Sequence, residues 1–484
     1  MNATRQPLAV QAVEALKRGE RRKAIALLEQ EVEEGPPTGG RWRSISLLAM
    51  EIAAINVAIE AARRAAASPP SLEGLLNYWA TLNTYGRTDQ ALADLARYDQ
   101  TLQQQPAVLH FRATLAGEQG RFDEAHELFR KALAIAPEAL QIWFGFAMAK
   151  TFEPGDPDLA AMEALAANAE RADADSRARL FYALGKAWDD AGDPDRAFSW
   201  FAKGAAIRAP QQTYNPAAAA SVVERIIGEF TPEALATLKP SGPRPRRSLF
   251  VTGLPRSGTT LVEQILVAHS QVSDGAEVNF VKPVLIPTIG FNMPGALAYQ
   301  ERSATDDPWG EIAADYAGLI DTRFPSRGLV VDKSLSQSML MGLQLHSLSD
   351  ARVVWLRRDP QDVAWSCFRT YFTAIPWSWS FSNIAWQMRL EDRMFEHWRK
   401  VFPDRILPIQ YEELVRDPAT WIPRILGHFG LPEEAGVHEF HRNRRTVRTA
   451  SVRQVRAPLS TSSIGQSRRY ERPLEEFRRA YEEK

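Results

Sequence analysis

The sequence predicts an α + α/β chain: an N-terminal solenoid of paired helices, then an α/β domain built on a parallel sheet. Three observations predict it. Alanines at positions 24, 58, 91 and 125 follow one another at intervals of 34, 33 and 34 residues, with Ala197 two further intervals of about 36 beyond. A period of that size means stacked helix pairs. The run Lys239-Pro-Ser-Gly-Pro-Arg-Pro-Arg246 then breaks all periodicity, because three prolines and a glycine suit neither a helix nor a central strand. After it, apolar strand-like runs near residues 249, 329, 353 and 406 alternate with helical patterns, as in α/β sheets.

Length and composition agree. At 484 residues the chain exceeds what one hydrophobic core supports, so unlike halves are expected: an array over 1–210, a capping helix and linker over 211–246, and the α/β domain over 247–484. A formal net charge of −1 gives no reason to expect nucleic-acid binding, and any polyanion site must be local. Arg5, Glu14, Lys17, Arg18 and Glu20 interrupt the first twenty residues, so no cleavable signal is evident there. The most apolar stretch, near Leu47 to Ala67, carries Glu51, Asn56, Glu60, Arg63 and Arg64, which argues against a membrane span. The single cysteine, Cys367, forbids an internal disulfide and a multi-cysteine zinc site, and fits a reducing cytoplasm. The eight histidines are scattered, so no metal is expected.

Within the array, a glycine stands five residues before the alanine in four units, at Gly19, Gly86, Gly120 and Gly192. A tight turn between helices needs a residue free of a side chain there. The clearest unit runs from Pro106 through Gly120, Phe122, Ala125, Phe129 and Ala132 to Pro137, and it resembles a tetratricopeptide repeat. Residues Asp156 to Ala160 continue the phase in degenerate form, giving about six units between roughly Leu8 and Pro210, the second and fifth being weakest. Such arrays hold a peptide or another protein on their concave face.

The α/β half opens with Ser248-Leu-Phe-Val-Thr252, a strand-like run, then Gly253-Leu-Pro-Arg-Ser-Gly-Thr-Thr260, then an apolar helical pattern from Leu261 to Ala268. A strand, a glycine-bounded turn and a helix N-terminus present backbone N–H groups to a phosphate. The spacing is that of a P-loop, except that Thr259 replaces the lysine that reaches the β and γ phosphates of a triphosphate. That loss disfavours a kinase or other NTPase. A cation, Arg256, stands inside the loop instead, where it can stabilise charge on a departing phosphate.

The segment Pro255-Arg-Ser-Gly-Thr-Thr260 resembles the 5′-phosphosulfate loop of PAPS-dependent sulfotransferases, in the arginine form of the tyrosylprotein and carbohydrate enzymes. The resemblance spans roughly residues 247 to 472. It implies that Arg256, Ser257, Gly258, Thr259 and Thr260 hold the 5′ end of PAPS, with PAP as product and no metal. Arg358 at the end of a strand, followed by Ser366 eight residues on, resembles the family's 3′-phosphate site; a surface Arg–Asp pair and an ordinary helical serine are the bland reading. His269 to Glu277 looks like the stretch that ends in the catalytic glutamate of tyrosylprotein sulfotransferases, so the resemblance makes Glu277 the base, with Asp274 and Glu263 as weaker rivals and a solvated loop carboxylate as the alternative. Lys333 follows the strand Gly328 to Asp332 and by resemblance would touch the transferring sulfonate, unless it merely pairs with Asp332. Tyr411 resembles the family's late tyrosine near the adenine, or else is a core residue; Ser451, Gln454 and Arg456 are candidates in a segment that would close over the nucleotide. The Arg-Lys-Gly triplet of the cytosolic enzymes is absent. The implied activity is sulfonate transfer to an acceptor hydroxyl, read first as a protein or peptide tyrosine. A saccharide or small-molecule acceptor, or an inactive repeat scaffold, is the alternative.

Overall fold

The structure, a computed structural model, describes residues 6–35, 39–326, 328–335, 337–442 and 454–483. Helices pair along the first part of the chain: Leu8–Lys17 with Arg21–Glu34, Gly39–Glu51 with Ile55–Ala67, Leu72–Thr84 with Thr88–Leu95, Pro106–Glu118 with Phe122–Ile135, and Ala174–Asp190 with Pro194–Arg208, while the fifth unit's helices, Leu140–Ala149 and Pro157–Ala166, each pack on Ala174–Asp190 rather than on each other. Ala24, Ala58, Ala91, Ala125 and Ala197 each lie on the second helix of a pair and have 0% exposure. A methyl group is what fits there, because the two helices pack at that point and a longer side chain would push them apart. Gly19, Gly86, Gly120 and Gly192 form the turns inside their pairs with φ of +72°, +73°, +77° and +85°, a conformation that costs a side chain about 1–2 kcal/mol.

The two weak repeats have physical causes. In the second pair, Ala53 occupies the turn with φ +55°, so the left-handed joint is kept without its glycine. In the fifth, a longer connection separates the helices, and Lys150 pairs with Asp156 and Asp158 across it. That helix buries Leu159 and Met162 while Ala160 faces solvent, so the alanine phase is lost.

Beyond the pairs, a helix spans Pro216–Glu229, and residues 239–247 have no regular structure. Five strands follow: β1 (Ser248–Thr252), β2 (Val272–Ala276), β3 (Leu329–Asp332), β4 (Val353–Arg357) and β5 (Ile406–Gln410). They form a parallel sheet in the order β2-β3-β1-β4-β5. Every residue of β1 is buried, and β3 and β4 are nearly so, which explains their continuous apolar runs. The strand the sequence pattern missed is β2. It is an edge strand that buries Val272 and Gly275 and carries Ser273 and Asp274, so it has no apolar run to read.

The chain divides into two compact units. One comprises residues 1–103, 225–250 and 271–352; the other comprises 104–224, 251–270 and 353–484. The first has β2, β3 and the start of β1; the second has the end of β1, β4 and β5. A Cβ at Gly192 would meet nothing within 4 Å, so Gly192→Ala isolates the backbone cost of the joint. It is expected to lower stability by about 1 kcal/mol, read as a shift of the urea midpoint of helical ellipticity.

Candidate active site

The turn after β1 is shaped by close approach. At Gly253, with φ +143°, a Cβ would come 2.6 Å from the Leu356 carbonyl oxygen of β4 and 2.8 Å from Ser257 Oγ. Arg256 takes φ +71°, a left-handed conformation that is uncommon for a residue with a side chain. Gly258, with φ +104°, precedes the helix Thr259–Val267, and a Cβ there would stand 2.5 Å from the Tyr411 ring. Only glycine lets loop and ring meet. The first turn of that helix has N–H groups without intrahelical acceptors, which suits an anion. Ser257 is buried, and its Oγ has no hydrogen-bond partner among the described residues.

Two candidate clusters meet at this loop. Arg256 Nε donates to Ser366 Oγ at 2.8 Å, and Arg358 Nη1 donates to the Arg256 carbonyl at 3.1 Å. Ser366, read from sequence as Arg358's companion, thus touches the loop arginine instead. Arg358 is held by Asp362, 3.6 Å away on the helix Pro360–Phe368 that follows it, and its guanidinium carbon lies 4.7 Å from the Tyr411 ring centroid. It also donates to the Ser463 carbonyl. The Arg358–Asp362 pair is not a surface one: the two side chains are 9% and 0% exposed. Arg256, Gly258, Thr260, Arg358 and Tyr411 line a cavity of about 150 Å³ together with residues of the segment 455–463.

Electrostatics mark the same place. Burial, reinforced by the charges of Arg369 and Arg358, lowers Arg256 to about 10. An anion at the loop would relieve that repulsion. Cys367, beside Ser366, is fully buried; burial pushes its thiol up to about 12, and its Sγ lies 3.4 Å from the Pro255 carbonyl.

Glu277 and Lys333 belong to the other unit and meet there. The β2–β3 register sets Ala276 opposite Asp332, so the next residue on each strand falls just past the sheet, and the Lys333 N–H donates to the Ala276 carbonyl at 3.0 Å. Lys333 Nζ lies 2.5 Å from Glu277 Oε1; the lysine is 2% exposed and the Glu277 side chain 33%. Asp332 has hydrogen-bond partners of its own. That carboxylate accepts from the Tyr316 hydroxyl at 2.7 Å and from Ser334 N and Oγ, and burial raises its pKa. Of the rivals to Glu277, Asp274 Oδ1 accepts from the Gly275 N–H, and Glu263 is buried in the loop helix. Ser451 lies outside the described residues; Gln454 to Arg456 form a short 3₁₀ turn, and Arg456 donates to the Glu118 carbonyl at 3.4 Å.

The sequence reading missed Asp362 and the Tyr316–Asp332 contact. Asp362 was readable, since it follows Arg358 at the i,i+4 spacing of helical ion pairs. Tyr316 was not, because nothing local connects it to a strand sixteen residues on.

Residues 248–435 match the model of the sulfotransferase family, and residues 45–219 match that of the tetratricopeptide repeat. The candidate residues from Arg256 to Tyr411 fall within the first stretch; Ser451, Gln454 and Arg456 lie beyond it. The chain is 31% identical over 374 residues to an uncharacterized protein of Aquifex aeolicus, covering 73% of this chain and 47% of that one. It is 25% identical over 190 residues to a protein-tyrosine sulfotransferase of Drosophila melanogaster, covering 38% of each. The chain thus spans less than half the length of these curated relatives. Among solved structures it is similar to a sulfotransferase domain from the curacin biosynthetic pathway, with a TM-score of 0.33 and 15% identity over 49% of this chain and 97% of that one. Among the described residues no cluster of three metal-ligating side chains occurs, and no helix is long and apolar enough to cross a membrane.

The packing of Cys367 gives a direct check of the loop. It is expected to resist maleimide at pH 8 in the folded protein and to react promptly in denaturant, since neither access nor thiolate is available before unfolding. Prompt labelling of the native chain would contradict the packing behind Arg256.

Proposed function

We propose that this chain, which carries a sulfotransferase-family domain at 248–435 after tetratricopeptide repeats, transfers a sulfonate from PAPS to an acceptor hydroxyl. The observation that supports this most is the convergence of Arg256, Arg358 and Tyr411 on one cavity, with Ser366 bonded to Arg256, at a loop that lacks the lysine of triphosphate enzymes. The residues fit the donor: a partly buried guanidinium, an unpartnered serine hydroxyl and the first turn of a helix suit a 5′ phosphosulfate, and Arg358 suits a second phosphate.

Bound PAPS supplies an activated sulfonate on a phosphate leaving group. The chain's residues do the rest in this reading. Glu277 takes the acceptor's hydroxyl proton, Arg256 and Lys333 stabilise charge on the sulfonate and departing phosphate, and Ser257 to Thr260 orient the 5′ end. Arginine and lysine supply the positive charge that magnesium gives a kinase, so no metal takes part.

A protein or peptide tyrosine is the proposed acceptor. Repeat arrays commonly hold peptides, and the His269 to Glu277 segment carries the resemblance to tyrosylprotein enzymes. The protein would work in the cytoplasm, where a single buried cysteine is at no risk of stray disulfides.

Glu277→Gln is expected to cut turnover by about 10²–10⁴-fold while PAP affinity stays near that of the parent. Arg256→Ala should weaken both. Full activity in either variant would remove that residue from the mechanism. Incubating a lysate lacking the protein with purified enzyme and sulfur-labelled PAPS tests the acceptor: protease-sensitive label is expected, and glycosidase-sensitive label would replace tyrosine by a saccharide.

A further inference from the structure

Asp189 stands in the last turn of the helix Ala174–Asp190, within the repeats. A carboxylate there faces the negative end of the helix dipole and is unfavourable unless cations meet it. They do. Arg369 Nη1 donates to Oδ2 at 2.7 Å, Arg469 Nη1 lies 3.5 Å from Oδ1, and the Tyr470 hydroxyl donates to Oδ1 at 2.5 Å.

Each partner leads toward the cavity at Arg256. Arg369 follows the helix that carries Ser366, and after burial its charge bears most on Arg256. The other Arg369 nitrogen, Nη2, donates to Gln466 Oε1 at 3.1 Å. Tyr470 stacks on Trp365, the neighbour of Ser366, with ring centroids 3.5 Å apart. Between these points the Gly465 and Ser467 N–H groups donate to Asp362 at 2.7 and 2.9 Å. The segment 455–470, which walls the cavity through residues 455–463, is therefore fastened to the helix Pro360–Phe368 by Asp362 and to the repeats by Asp189.

We propose that Asp189 is a positioning residue for the nucleotide site: it fixes the seat of segment 455–470 and draws Arg369 away from Arg256, so that donor affinity depends on the repeat array. It touches no reacting atom. The affinity clause rests on the PAPS reading above; the seat of the segment does not.

The full chain and its Asp189→Asn, Asp189→Ala and Asp189→Glu variants are compared for amide exchange, PAP affinity, donor KM and kcat. The Asn and Ala variants are expected to exchange faster across 455–470 but not along β1, with PAP Kd and donor KM raised about tenfold and kcat nearly unchanged. Glu should restore most of the affinity, which a merely steric role would not allow. Asn preserves the shape of the side chain, so a folding failure confined to Ala leaves the test intact. Unaltered exchange in the Asn variant overturns the proposal whether or not PAP binds. Faster exchange with PAP Kd within twofold of the parent overturns the link to the donor. If the parent binds no PAP while the variants exchange faster, the seat is upheld and the PAPS reading is what fails.

Discussion

Three guanidinium groups, those of Arg256, Arg358 and Arg369, gather behind one loop, and their mutual repulsion is the constraint around which the second unit is arranged. Like charges in a partly buried place must each be answered locally, because water no longer screens them. Asp362 answers Arg358, Asp189 answers Arg369, and Ser366 receives the hydrogen bond of Arg256. Each of those partners sits on a helix: Asp362 and Ser366 on Pro360–Phe368, Asp189 on Ala174–Asp190. The charges are thus tied to backbone that does not give way easily. Arg256 and Arg358 both line the cavity and bring positive charge to it, which is the property an anion site requires.

The glycines around the loop answer a steric demand of the same place. Gly253 lets β4 pass, and Gly258 lets the Tyr411 ring lie against the turn. Arg256 has a side chain at a left-handed position where the chain spends glycine elsewhere in the molecule, as at Gly120 and Gly192. Strain of this kind persists where the surroundings over-determine it, and here Ser366, Arg358 and the buried Cys367 do so.

Much of this was legible in the sequence, for reasons that differ by element. The repeat phases could be read because each joint needs a left-handed residue and each helix crossing needs a methyl group, and both demands write themselves into residue type. Ala53 hid the second joint by taking the strained conformation itself. The strands β1, β3 and β4 announced themselves by burial on both faces, whereas β2, at an edge, had no such need. The loop was legible because its chemistry is local. The contact between Glu277 and Lys333 was not: the two residues were singled out by resemblance, but what joins them is a strand pairing 56 residues apart in sequence. Asp189 was invisible for the same reason, since its partners lie some 180 and 281 residues further along.

That pairing has an evolutionary corollary. The acid and the ammonium meet because β2 and β3 end in step, Ala276 beside Asp332. A descendant with a single codon inserted ahead of Glu277 would keep every residue of the signature, yet its carboxylate would swing to the opposite side of the strand. Residue matching would pass such a gene as intact; only the count between the strands would betray it.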